Sequence, residues 1–260
     1  MSISKEKLYN ILDVCSQDEI VKENVIKNHD NNLWWPINVS DYRMRLLISG
    51  MSTRVGYSMI NSYVLVINKM IEIGYDNLIT YEEEQIKDVI KPLGLINARY
   101  KYIASMIKFI EKYKEQVFTI EQNELIALID KEVNGASYKV GQCCVLYLKG
   151  YYESGVMPVD SGMKDMFLPC IGFNEVKGAI GHEILRYDLE RLISELDLRP
   201  LIKNNGYEDK ITIPNKIALT WWAHLVLIYY KRAYCNKHKP DECKIKKEVQ
   251  NVELNFKCKK

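Results

Sequence analysis

The sequence predicts a mostly α-helical protein. Apolar residues return at helical spacing in most segments, no train of short alternating strands is present, and loop chemistry breaks the pattern at only two places. At 260 residues the chain can bury one large core or two modest ones.

The elements follow in order. "EKLYNILDVC" opens a helix with Leu8, Ile11 and Leu12 on one side. The first break is "NHDNNLWWPINVSDY", residues 28–42, where Asn and Asp cluster and two tryptophans precede Pro36. "YSMINSYVLVINKMIEIGY" resumes helical spacing, and "EEEQIKDVIKPLG" puts Ile86, Val89 and Ile90 on one face before stopping at Pro92 and Gly94. "NARYKYIASMIKFIEKY" carries a stripe of Ile103, Met106, Ile107 and Ile110. "ELIALIDKEV" and "YKVGQCCVLYL" form two helices joined by the small-residue turn "NGAS". The second break is "YYESGVMPVDSGM", residues 151–163; either break can mark a domain crossing. After Pro214, Ala218, Trp221, Trp222, Leu225, Ile228 and Tyr229 lie at helical spacing.

Charged residues make up 27% and the hydrophobic class 47%, ordinary globular values. No apolar run approaches the length that crosses a bilayer, and the start "MSISKEKLYN" lacks a signal-peptide core. The expectation is a soluble cytoplasmic protein, nucleoid-associated if prokaryotic. Net charge is only +2, so the whole chain does not advertise nucleic-acid binding. The balance is uneven, however: residues 231–260 hold ten Lys/Arg against four Asp/Glu, and the first 230 hold 26 against 30. A basic tail can follow phosphates, although such tails are more often simply solvated. The seven cysteines are scattered, and without an export signal a disulfide framework is not expected. Cys143 and Cys144 fall inside an apolar helical pattern and read as small core residues.

Two residues carry candidate chemistry. Lys139 sits on the first turn after the "NGAS" turn, where exposed backbone amides and the helix dipole can hold a phosphate oxygen. A lysine held there against a core can lose part of its hydration, and a neutral amine is a nucleophile where an ammonium is not. The plainer reading is a lysine whose stem packs and whose charge reaches water. Asp160 follows Pro158 and Val159 and likewise has a plainer reading, the N-cap of a helix through "SGMKDMF".

Together with their neighbours these residues resemble a known pattern. The hairpin "VNGASYK" and the later "PVDSGM" are similar to the LPGVGxK hairpin and VDTH-like segment of the helix–hairpin–helix DNA glycosylases, the superfamily of endonuclease III and 8-oxoguanine DNA glycosylase. "RLLISGMSTRVGYSMI" looks like the helix entering that family's DNA-facing site. "IKPLGLINARYKYIASMIKFI" looks like its I(K/R)xxGLYxxKAxxI segment, and "WWAHLVLIYYKR" like the late helix that closes its base pocket. The matches keep their order over about residues 40–245.

The resemblance implies two helical domains with a cleft between them, one a six-helix domain over 43–150 with the hairpin, the other combining 1–42 with 151–260. It implies a monomeric enzyme acting on a damaged base in double-stranded DNA, flipped out of the stack before its glycosidic bond is cut. Lys139 would be the nucleophile, expelling the base and forming an imine that permits strand cleavage by β-elimination. Asp160 would stabilise positive charge developing on the sugar and help activate the lysine. Family members with this lysine have lyase activity; those lacking it usually only remove the base. Gly135, Ser137 and Lys139 would present amides to a phosphate, and Met51 falls where the family places a Gln or Asn that fills the gap left by the flipped base. Methionine there reads equally as core.

The chain departs from the pattern in several places. Ser137 replaces the second glycine of the hairpin and Gly162 the His that often follows VDT. "KVGQCC" looks like the KVADC segment of 8-oxoguanine glycosylases, with Cys143 against the flipped purine. The glutamine that reads the base edge is His224 here, however, and the stacking phenylalanine is Ile228. His224 reads equally as a core histidine beside Trp221 and Trp222. An oxidised purine is the favoured lesion; oxidised pyrimidines, or a non-catalytic DNA-binding protein of the same fold, are the alternatives. "YCNKHKPDECKI" resembles the start of the iron–sulfur loop of endonuclease III. Cys235 and Cys243 are separated by seven residues, no cysteine follows at the next spacing, and Cys258 is too distant to complete the loop. The expectation is no cluster and no metal.

Overall fold

The computed structural model describes residues 4–164, 178–214, 218–237 and 239–249. Among the described residues the regular elements are helices, with no strand, as helical periodicity predicts. The chain divides into two compact units, Asn31–Gly150 and Met1–Asp30 with Tyr151–Lys260. The central unit thus begins at residue 31 and not at 43. The loop read as a crossing belongs to it through specific bonds: Tyr63 Oη donates to the Trp34 carbonyl (2.8 Å), Arg45 Nε to that of Val39 (2.6 Å) and Tyr147 Oη to that of Pro36 (2.5 Å).

The central unit holds α3 (Tyr42–Met51), α4 (Ile60–Ile73), α5 (Tyr75–Leu78), α6 (Glu83–Ile90), α7 (Ile96–Tyr113), α8 (Gln122–Glu132) and α9 (Tyr138–Lys149). α9 packs against both α8 and α3, and α7 against α3 and α6. Two glycines set these distances. A Cβ on Gly50 would lie 2.1 Å from the ring of Tyr102, which is buried and bonded through its hydroxyl to Gly50 N and the Leu46 carbonyl, each at 3.0 Å. A Cβ on Gly141 would lie 2.7 Å from the Ile126 carbonyl oxygen, so glycine lets α9 close on α8. This yields a test whose sign decides. Alanine in a helix interior is favoured over glycine by about 1 kcal/mol, whereas forcing atoms into a packed contact costs about 1–3 kcal/mol. Because the clash is with backbone, Gly141→Ala is expected to be net destabilising in denaturant unfolding; a stabilised variant would contradict this packing.

The other unit is built around a buried helix. It holds α1 (Lys5–Ser16), α2 (Glu19–His29), α10 (Ile180–Ser194), α11 (Arg199–Asn204), α12 (Thr220–Ala233) and α13 (Lys244–Glu248). α1 starts at Ser4, whose Oγ accepts from Lys7 N (3.1 Å), and α2 at Asp18, whose Oδ1 accepts from the amides of Ile20 and Val21. α12 packs against α1, α2 and α10 and is buried without a break from Thr220 to Lys231. An all-round apolar helix is stable only when covered on every side. The polar residues it carries into the interior, among them His224 and Lys231, therefore need partners.

Candidate functional site

The hairpin between α8 and α9 is a tight turn. Ala136 N donates to the Val133 carbonyl (3.0 Å), and Gly135 stands at φ +81°, a left-handed conformation that favours glycine. Its base is anchored to α7, where Ser105 Oγ accepts from Asn134 N (2.9 Å) and donates to the Glu132 carbonyl (3.3 Å). Ser137 then opens α9 in extended conformation without a side-chain cap. Gly135 and Ser137 are exposed. The first turn of α9 thus presents amides and the positive end of its dipole with no side chain closing it.

Lys139 lies on that turn, half-buried. Its Nζ donates to Ser52 Oγ (3.1 Å) and sits 5.9 Å from the centre of the Trp35 ring. Ser52 is held in turn by a buried arginine. Arg99 donates to the carbonyls on either side of it, Met51 (2.8 Å) and Thr53 (3.0 Å), and also to that of Gly94 (3.0 Å). Nothing in the sequence linked Trp35, Ser52, Arg99 and Lys139, since no spacing relates contacts this far apart along the chain. Met51 is fully buried, with its carbonyl on Arg99.

Asp160 belongs to the other unit. The segment before it is held by α10: Glu190 Oε1 accepts from Met157 N (2.8 Å), and His182 Nδ1 donates to the Val159 carbonyl (2.9 Å). Residues 161–164 are helical, and Asp160 caps them, its Oδ1 accepting from Met163 N (2.6 Å). The carboxylate is thus the N-cap that the sequence offered as its plainer reading. Lys231 Nζ donates to both oxygens of Asp160, at 3.2 and 3.1 Å. Lys231 stands seven residues after His224 and three after Ile228, so the three share one face of α12 that leads to Asp160. His224 is buried and stacks on Trp221, centroids 5.6 Å apart, and Trp221 stacks on Tyr151 at 4.5 Å. Ile228 is buried one turn later.

Cys143 is fully buried in the central unit. Beside it, burial pushes the Cys144 thiol far above the usual range, with the Cys143 sulfur adding to the effect, so Cys144 is an inert core group. Cys235 and Cys243 are buried, and Cys243 Sγ accepts from Tyr230 Oη (3.5 Å). Cys258 lies outside the described residues. Among the described residues no group of three or more His, Cys, Asp or Glu is placed to hold a metal ion.

No protein-family model matches this chain, and no curated protein matches it. Among solved structures it is similar to MBOgg1 in complex with a low-affinity DNA ligand, with 18% identity, coverage of 88% of this chain and 71% of that one, and a TM-score of 0.50. At that identity the likeness is one of fold, and the fold this chain shares is the helical one of MBOgg1.

Proposed function

We propose that this protein is a DNA glycosylase with associated abasic-site lyase activity, acting as a monomer on duplex DNA with a damaged base. In this reading the amine of Lys139 attacks the sugar carbon, the base leaves, and the imine that forms permits β-elimination. Asp160 stabilises the positive charge that builds on the sugar. An oxidised purine is the favoured lesion, and no metal or cofactor takes part. The observation that carries the reading is the setting of Lys139: a half-buried amine on the first turn of a helix that has no side-chain cap, beside a left-handed glycine turn. The fold shared with a protein solved on DNA adds to it. The direct experiment is borohydride trapping and nicking of duplex DNA with an abasic site. A protein that binds the duplex but neither traps nor nicks is the non-catalytic alternative.

The hairpin has its own test. Gly135→Leu strains the turn, because a branched side chain resists φ near +81°. A lost hydrogen bond to a charged phosphate costs about 1.5–3 kcal/mol, so affinity is expected to fall roughly tenfold or more. The loss should be equal for lesion and plain duplexes, because phosphate contacts position and do not specify. If the substitution changed lesion preference and left plain-duplex affinity alone, the hairpin would not be the phosphate site.

A further inference from the structure

The pairing of Asp160 with Lys231 has a counterpart two residues on. A Cβ on Gly162 would lie 1.8 Å from Lys231 Nζ and 2.3 Å from its Cε. Any side chain at 162 therefore forces the end of the lysine to shift from its present position. Gly162 has no positive φ to explain it, so the missing side chain serves the space that Lys231 fills. Lys231 itself is enclosed: its side chain is 8% exposed against 35% for Asp160. A lysine kept that far from water needs a counter-charge, and Asp160 supplies it through both carboxylate oxygens.

We infer that Lys231 is a positioning residue for Asp160, holding its carboxylate ionised and in one orientation, and that glycine at 162 leaves the space in which its ammonium sits. The inference rests on the reading of Asp160 as the charge partner of the reaction. Donors that hold the carboxylate include the Met163 amide at Oδ1 and the Lys231 ammonium across both oxygens. Rotation about the last side-chain bond would break one or the other. A cation at this distance favours the charged form of a carboxyl, and low exposure of the lysine weakens solvent screening between them. Among the described residues, His182 and Glu190 of α10 bond the backbone of Val159 and Met157, and Lys164 reaches the Gly178 carbonyl.

Two measurements test this on the full chain. In the first, the Asp160 carboxyl is titrated by carbon-13 NMR, its signal assigned by its loss in Asp160→Asn. Its midpoint is expected to rise by about one pH unit or more in Lys231→Met, and in the same direction in Gly162→Ala, which keeps the lysine but displaces it. Coincident midpoints in wild type and Lys231→Met would overturn the inference. In the second, single-turnover borohydride trapping on abasic duplex DNA is followed across pH. The acidic limb of the profile is expected to move up with the carboxyl midpoint in both variants, whereas a purely structural lysine would lower the amount of active protein without moving the limb. A limb that stays while the midpoint moves would show that Lys231 sets the charge of Asp160 without serving the reaction, which also overturns the inference. If wild-type protein does not trap at any pH, the proposed function is what fails, and the carboxyl titration alone still decides whether Lys231 governs Asp160.

Discussion

Lys139→Gln protein is expected to lose borohydride trapping and nicking on abasic duplex DNA by about three orders of magnitude or more, the scale of losing a nucleophile, while it stays folded and still binds the duplex. The open-chain abasic sugar presents an aldehyde. A neutral amine adds to its carbon, water leaves, and the resulting C=N bond takes hydride from borohydride to become a stable amine. Without borohydride the same bond acidifies the adjacent sugar C–H, and loss of that proton expels the 3′ phosphate. A carboxamide has no nucleophilic lone pair, so neither outcome is open to glutamine. The fold should tolerate the change: Lys139 is half-buried, glutamine is a good helix former, and the hydrogen bond to Ser52 Oγ is worth about 1.5–3 kcal/mol at most. Trapping by Lys139→Gln at the wild-type rate would identify a different amine as the nucleophile.

The long helices and the hairpin were legible in the sequence because their signals are local. Ile86, Val89 and Ile90 are buried on one face of α6, and "NGAS" forms the turn it suggested, with Gly135 left-handed. Short elements were not legible: α5 is four residues long and α11 six, too few for an apolar period to repeat. The start of the central unit was misplaced for a related reason. Composition marked 28–42 as loop, but composition does not show that Tyr63 and Tyr147 reach back to its carbonyls. The surroundings of the candidate site lay out of reach for the same reason. Ser52 is 87 residues from Lys139, and Lys231 is 71 from Asp160. Gly162 was visible as a departure from a familiar pattern, but its meaning required the lysine that occupies its space. Of the ten basic residues of the tail, Lys257, Lys259 and Lys260 lie outside the described residues.

Asp160→Asn separates what the aspartate does for the fold from what it does for the reaction. Asparagine keeps a side-chain oxygen to accept from Met163 N, so the cap survives. The charge does not. Loss of a group that stabilises charge in a transition state is expected to slow base removal by about 10²–10³. The same substitution leaves the Lys231 ammonium enclosed without a counter-charge, and stability is expected to fall by about 1–3 kcal/mol, below the full penalty for a deeply buried pair because Asp160 is 35% exposed. Replacing both residues distinguishes the two effects. In the Asp160→Asn, Lys231→Met protein an apolar chain of similar length replaces the stranded charge, so unfolding stability should return toward wild type. Base removal should not return with it, because nothing then offsets the positive charge on the sugar. Should the double variant regain activity in step with stability, Asp160 would be a structural partner of Lys231, and the charge that drives base departure would have to come from another group.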